Sequence, residues 1–141
     1  MSEADELARR AANYLHAREG TSRAFGIVLE EARAGYARAT MTVRADMLNG
    51  HALGHGGMIF LLADTAFAYA CNSHNVNALA QQASIVFLAP AHEGDRLIAE
   101  AQEQSVSGRS GVYQVRVATA DGREIAVFTG LSRTVGGAVI N

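Results

Sequence analysis

Between Ala37 and Arg44 apolar Ala37, Ala39, Met41 and Val43 alternate with polar Arg38, Thr40, Thr42 and Arg44. That period of two belongs to a strand with one face in a core and the other in water. With the segment Phe25 to Ala32, across Arg33-Ala34-Gly35, it predicts a hairpin. Upstream, Ala4 to Glu19 carries Leu7, Ala11, Tyr14, Leu15 and Arg18 at helical spacing, with Ser2 as cap and Glu3, Asp5 and Glu6 in the first turn, where the helix dipole favours negative charge. One amphipathic helix packed on the body is expected there. The run Met58 to Cys71 is of another kind, apolar on every side and broken before Tyr69 only by Asp64 and Thr65. As a helix it is about 21 Å long, short of a bilayer core of about 30 Å, so Gly56 to about Ser73 reads as a core helix and not a membrane span.

Four further strands are expected near Ala80–Leu88, Asp95–Ser105, Gly111–Ala120 and Arg123–Thr134. They are punctuated by Pro90, Gly94, Ser107-Gly108 and Asp121-Gly122, the last a two-residue hairpin signal. Gly136-Gly137 suggests a loose tail. A helix that is apolar all round must be covered on most of its circumference. The expected fold class is therefore α+β: a curved antiparallel sheet wrapped around a central apolar helix, with an extra N-terminal helix, residues 1–141 forming one domain.

Composition removes whole classes of chemistry. The 141 residues carry 12 basic and 14 acidic side chains for a net charge of −2, with no block of like charge, so nucleic acid is not expected as a partner. All the basic residues are Arg. Schiff-base catalysis, lysine-anchored pyridoxal phosphate and the P-loop lysine are excluded together. One cysteine, Cys71, forms neither an intrachain disulfide nor a Cys-rich zinc site. With no signal-peptide pattern at the N-terminus, the expected location is a reducing cytoplasm. Charged residues are only 18% of the chain, which leaves apolar surface for self-association.

The chemistry concentrates in and before the core helix. A buried carboxylate costs several kcal/mol unless it is partnered or used, so Asp64 is either fixed by backbone amides or a neighbouring Arg, or functional. Helical spacing places Phe60, Asp64, Phe67 and Cys71 on one stripe. Upstream, Asn49-Gly50-His51-Ala52-Leu53-Gly54-His55-Gly56-Gly57 leads to a helix start whose free N–H groups form an oxyanion site that a substrate carbonyl reaches without meeting a Cβ. A tight turn is the plain alternative for such glycines. His51 and His55, four apart, suggest a metal with Asp64 or His74, but they lie in a loop and no His-Glu-x-x-His pattern exists, so no metal is expected. Cys71 has no basic neighbour to lower its pKa and reads as a small buried residue.

The string from Asp46 to Ser73, with its NGH, HGG and LADTAFAYACNS portions, closely resembles the signature of the hotdog-fold acyl-CoA thioesterases of the phenylacetate-degradation (PaaI) type. The resemblance continues through Gly-Arg-Ser-Gly-Val-Tyr at 108–113, Leu-Ser-Arg-Thr at 131–134 and the terminal Gly-Gly. It implies hydrolysis of an aryl-acetyl-CoA, phenylacetyl-CoA or a ring-hydroxylated form, with no cofactor. Asp64 would be the catalytic carboxylate, Gly56 the oxyanion amide, and Asn49 and His55 the groups that orient the thioester or the water. Gly57, Thr65, Phe67, Ser84, Arg109, Ser110 and Arg133 would contact acyl group or coenzyme A. Val86 departs from the pattern, standing where the family carries an Asp. Two other functions fit the fold class: an enoyl-thioester hydratase or dehydratase, against which the HGG string counts, and a non-catalytic acyl-CoA-binding module, for which the chain has little room.

Helix geometry adds a statement about assembly. Gly56 and Asp64 are eight residues, or about 12 Å, apart along the axis, whereas both must come within about 3–3.5 Å of one reacting carbonyl. The amide and the carboxylate of one site are thus expected from two chains of a homodimer, and the resemblance adds a dimer of dimers.

Overall fold

The computed structural model describes residues 1–141. Helix α1 (Glu3–Ala17) begins where Ser2 Oγ accepts the Asp5 N–H at 3.0 Å, and buries a face of small residues, Ala8, Ala11 and Ala12. A six-residue helix α2 (Gly20–Phe25) follows, then strands β1 (Val28–Arg33) and β2 (Tyr36–Thr42), a 3-10 turn at Ala45–Met47, and the core helix α3 (Gly56–Cys71). Four strands complete the chain: β3 (Ala78–Phe87), β4 (Arg96–Ser107), β5 (Ser110–Thr119) and β6 (Glu124–Thr134). They form one antiparallel sheet in the order β1-β2-β4-β5-β6-β3, curved around α3. No helix is long and apolar enough to cross a membrane.

Small residues on both sides let α3 sit deep in the sheet. Leu62, Ala63, Ala66 and Ala70 of the helix have no exposed surface. Facing strands β2 and β4 pair Ala37 with Ala101 and Ala39 with Ala99, all four fully buried. Toward β5 and β6 the sheet carries larger groups, and Phe67 packs on Phe128 and Tyr113 at centroid distances of 5.7 and 5.6 Å. Gly130 of β6 makes room for that ring: a Cβ there would lie 2.7–2.8 Å from three atoms of it. The helix end is tied by two polar side chains. Asn72 bonds both the N–H (2.9 Å) and the carbonyl (3.1 Å) of Ala78, and Ser73 Oγ accepts the Gly35 N–H at 2.8 Å while donating to Ala70 O.

Four local expectations need correction. Phe25 is not in a strand: α2 takes Gly20–Phe25, closed by Gly26 in the left-handed region (φ 68°), and β1 starts at Val28. The first helix ends at Ala17, two residues short of Glu19. The turn at Asp121-Gly122 has three residues, since Thr119 N–H bonds Arg123 O and Gly122 N–H bonds Thr119 O, with Gly122 at φ 93° in the bulge position. The tail is not loose. Asn75 and Asn77 bond the backbone of Gly136, Ala138 and Ile140, and Val139 is buried.

Filling the space at Gly130 forces a buried ring to move in a close-packed core. Gly130→Ala is expected to destabilise the fold by about 1–3 kcal/mol, read as a lowered urea midpoint with an unchanged slope.

Candidate functional site

The loop before α3 is built around Asn49. Its Oδ1 accepts the N–H groups of His51 (2.9 Å) and Leu53 (3.1 Å), and its own N–H bonds Leu53 O at 2.7 Å, closing a small loop in which Ala52 takes φ 61°. The loop is anchored on the segment after β3 by Gly54, whose N–H donates to Ala91 O at 2.7 Å; a Cβ on Gly54 would lie 3.0 Å from that of Ala91. His55 caps the helix. Its backbone N–H donates to Met47 O, and its Nδ1 accepts the Gly57 N–H at 2.8 Å. That bond uses the lone pair of Nδ1 and leaves Nε2 as the ring's other polar atom.

The consequence falls on Gly56. With Gly57 N–H taken by His55, the Gly56 N–H is left without an acceptor in the chain, at the positive end of the helix dipole. It faces a groove of about 400 Å³ lined by Asn49, Leu53, Ile59 and the Phe87–Pro90 segment. Gly57, expected among the substrate contacts, spends its amide N–H on the cap.

Asp64 sits two turns further along α3, half-buried on the floor of a second groove of about 410 Å³ between α1, α3 and the start of β3. No hydrogen bond and no Arg holds the carboxylate. Burial pushes its pKa up, and the nearby charge of Glu19 pushes it further. The structural alternative, a carboxylate fixed by amides or by an Arg, lacks the partners it needs. Phe67 lines the same groove, whereas Phe60 turns toward Phe128, 5.2 Å between centroids. Cys71, also at this floor, is buried with its thiol pushed up to about 12 by burial and then by the Asp64 charge, so it is no nucleophile. Thr65 is buried, its hydroxyl donating back to Leu61 O at 2.7 Å. Ser84 is exposed on β3 opposite Thr129.

Adjoining that groove, past Cys71 and Leu79, Arg109, Ser110 and Arg133 come together. Gly108 and Arg109 form the two-residue turn between β4 and β5, Ser110 pairs with Arg133, and Arg133 pairs with Leu79 of β3. Arg109 and Ser110 border a third groove of about 210 Å³, with His74, whose Nε2 lies 2.7 Å from Glu103 Oε1. The predicted site residues thus fall into three places within one chain, and the oxyanion amide and Asp64 line different grooves. His51 and His55 do not converge with Asp64 or His74.

Sequence reasoning missed one group. Glu19, Tyr69, Ser22 and His16 form a network at the inner end of the Asp64 groove: Tyr69 OH donates to Glu19 Oε1 (2.8 Å) and lies 2.8 Å from His16 Nδ1, and Ser22 Oγ bonds Glu19. Tyr14, Leu15 and Arg18 were legible as positions of the first helix but not as walls of this groove. Glu19 stands between two helices, at the end of the segment expected to be one, and nothing in the sequence singles it out.

An antiparallel sheet wrapped around a central helix is the architecture of the hotdog thioesterases. The chain belongs to the thioesterase superfamily, whose description matches residues 49–126. It is 41% identical over 128 residues, 91% of each chain, to acyl-coenzyme A thioesterase PaaI of Escherichia coli K12. The structure of E. coli PaaI, from the phenylacetic acid degradation operon, superposes with a TM-score of 0.94 over 96% of this chain and 99% of that one, at 40% identity. A variant of phenylacetic acid degradation protein PaaI from Thermus thermophilus gives 0.80 at 33% identity, covering 83% and 100%. A Streptococcus mutans protein bound to acetyl CoA gives 0.76 at 25%, covering 79% and 90%.

The state of Asp64 has a measurable effect on stability. A carboxyl raised in the folded state favours folding while protonated and loses that contribution as pH rises through its folded pKa. Asp64→Asn is expected to raise the melting temperature at pH 7 by about one to three degrees, with the gain closing as the pH falls below about 4. Thermal melts of both proteins across pH 3–7 measure it.

Proposed function

We propose that the chain hydrolyses an aryl-acetyl-CoA, phenylacetyl-CoA or a ring-hydroxylated form, to the free acid and coenzyme A, at sites shared between two copies of itself. That it is an acyl-CoA thioesterase follows from its family and from its likeness to PaaI. The observation that carries the residue assignment is the pair on α3: a Gly56 N–H with no acceptor at the helix start, and two turns along a half-buried carboxylate with no donor.

Gly56 N–H takes the thioester oxygen as negative charge develops, a contact worth about 2.7–4 kcal/mol in the transition state. Asn49 fixes the loop that presents this amide, and His55 holds its neighbour through Nδ1 and turns its Nε2 edge to the carbonyl or the attacking water. Asp64 removes the proton of that water: the water oxygen bonds the acyl carbon, the C–S bond breaks, and the proton passes to the departing thiolate. A thiolate leaves without much help, since its conjugate acid has a pKa near 8.5, so no second carboxylate is needed. Direct attack by Asp64 would instead form a mixed anhydride. Label entering the Asp64 carboxylate under single turnover in ¹⁸O water excludes the pure general-base route, because it arrives there only through the anhydride. The aryl group lies against Phe67 beside Asp64, with Thr65, Gly57 and Ser84 around it, and the coenzyme phosphates lie toward Arg109, Ser110 and Arg133.

The same pair requires two chains. About 12 Å of helix separates the two groups, and in one chain they open into different grooves. Edge strand β3 pairs only with β6 and exposes Leu79, Val86 and Phe87, followed by Leu88. Pairing of this edge with its copy would satisfy the free strand edge, cover the apolar side chains and bring one helix start to the partner's Asp64 groove. Val106 and Val112, exposed on the β4–β5 hairpin, supply apolar surface for two dimers to join as a homotetramer. The whole of residues 1–141 acts as one thioesterase domain, and the free, buried Cys71 suits a reducing cytoplasm.

Asp64→Asn is expected to fold and to lose several orders of magnitude in kcat, with smaller losses for Asn49→Ala and His55→Ala. Co-refolding Asp64→Ala with Asn49→Ala/His55→Ala restores one intact site per heterodimer, so activity should return in proportion to the heterodimer fraction. No recovery in proven heterodimers, or full activity in a monomer, overturns the shared site. Faster turnover of medium-chain alkyl than of aryl thioesters overturns the acyl assignment.

A further inference from the structure

The two glycines that open α3 are each covered by a ring. A Cβ added to Gly57 would lie 3.1 Å from Nδ1 of His55, the same atom that accepts its N–H. A Cβ added to Gly56 would lie 3.1 Å from Cζ of Phe87, and 3.5 and 3.6 Å from the Cε atoms on either side of it. The tip of the Phe87 ring therefore rests on the Gly56 Cα. The next three amides of the helix, those of Gly57, Met58 and Ile59, all donate to His55, so the ring lies beside the one amide of this turn that is left free.

The sheet places Phe87 there. It is the last residue of edge strand β3 and pairs with Ala126 of β6, and the N–H groups of Leu88 and Ala89 after it both donate to Ile125 O, at 2.8 and 3.3 Å. Two residues further on, Ala91 O accepts the N–H of Gly54, in the loop that leads into α3. Backbone bonds on both sides thus tie the ring to the helix start. Core filling is not its role: Phe67 and Phe128 are 1% and 0% exposed, whereas Phe87 is 50% exposed, in the groove that the Gly56 N–H faces.

A hydrogen-bond donor stabilises a developing oxyanion most where water is kept away from it. An apolar ring on one flank of Gly56 removes water from that flank without offering a rival acceptor. It also turns its positively polarised edge, and not its negative face, toward the helix start, which suits a place where negative charge develops.

We propose that Phe87 is a positioning residue for thioester hydrolysis: its ring seals the Gly56 N–H from water on the β3 side and fixes the side from which a carbonyl oxygen reaches it. The inference rests on the thioesterase reading given above, with Gly56 as oxyanion donor, and it gives the edge strand a part in the chemistry itself.

The test measures kcat and KM of Phe87→Ala and Phe87→Leu with an aryl-acetyl-CoA, and the binding of the matching CoA thioether, which lacks the carbonyl oxygen. Phe87→Ala is expected to lower kcat about tenfold to a hundredfold, with KM and thioether affinity within about threefold of wild type, and Phe87→Leu to fall between. Sedimentation velocity fixes the assembly state, and all proteins are assayed where the wild-type assembly is retained. Phe87→Leu, which keeps apolar bulk, carries the comparison where Phe87→Ala does not assemble. A second arm uses the collision between Cβ and ring. Gly56→Ala keeps the amide but drives the ring aside, so it is expected to lose kcat, and Gly56→Ala/Phe87→Ala to lose less than the product of the two single losses. A wild-type kcat in the assembled Phe87 variants or in Gly56→Ala, a loss confined to KM, or multiplicative losses in the double variant overturns the inference and leaves the thioesterase reading standing. A wild-type protein that hydrolyses no acyl-CoA thioester defeats that reading instead.

Discussion

Everything in this fold depends on covering α3. A helix with apolar groups on every side gains only if a surface bends around it, and a twisted antiparallel sheet supplies that surface. The close approach is made by alanines, on the helix at Ala63, Ala66 and Ala70 and on the sheet at Ala37, Ala39, Ala99 and Ala101. Where the gap widens toward β5 and β6, Phe67, Phe128 and Tyr113 fill it, and Gly130 yields space to a ring. Side-chain volume thus grades across the sheet, which is how a flat periodic pattern becomes a curved layer.

That constraint also explains why the chemistry sits where it does. A helix this enclosed can be polar only where the wrapping fails, and it fails at two places. One is the start of the helix, where the last amide before the first turn finds no acceptor. The other is the gap between α1 and β3, where Asp64 emerges into a groove. The local rule against a carboxylate in an apolar helix is broken once, and no ion pair or hydrogen bond offsets it. A charge held at such a cost in stability is the pattern of a site kept for reactivity.

How much of this was legible follows the same division between periodic and local information. The second strand was legible from its alternation, the four later ones from the turn signals between them, α3 from its apolar run, and Asp64 because it interrupts that run. The HGG string marked the helix start, although only the hydrogen bonds show that His55 takes the Gly57 amide and leaves that of Gly56 free. What could not be read depends on single contacts far apart in sequence. Gly136-Gly137 looks like a loose end until Asn75 and Asn77 are seen bonding that segment. Gly26 at φ 68° closes a helix too short to show periodicity. Glu19 is tied to the core helix through Tyr69, fifty residues away.

The separation of charges along the molecule gives the proposed substrate a direction. Asp64 and Glu19 share one groove, while Arg109 and Arg133 are exposed at the adjoining β4–β5 turn and the end of β6, Arg133 opposite the groove residue Leu79. A long ligand that is neutral at one end and polyanionic at the other is aligned by that field before any specific contact forms. Reversed, it would bring phosphates to two carboxylates and leave the arginines without an anion. In the proposed site the thioester bond, at the junction of the neutral and anionic halves, falls where the groove meets the edge strand β3, the edge through which a second copy would supply the amide. On this reading the asymmetry of charge within one chain and the symmetry of the dimer do different parts of the work: the first sets which way the substrate lies, and the second brings the carboxylate and the oxyanion donor to the same carbon.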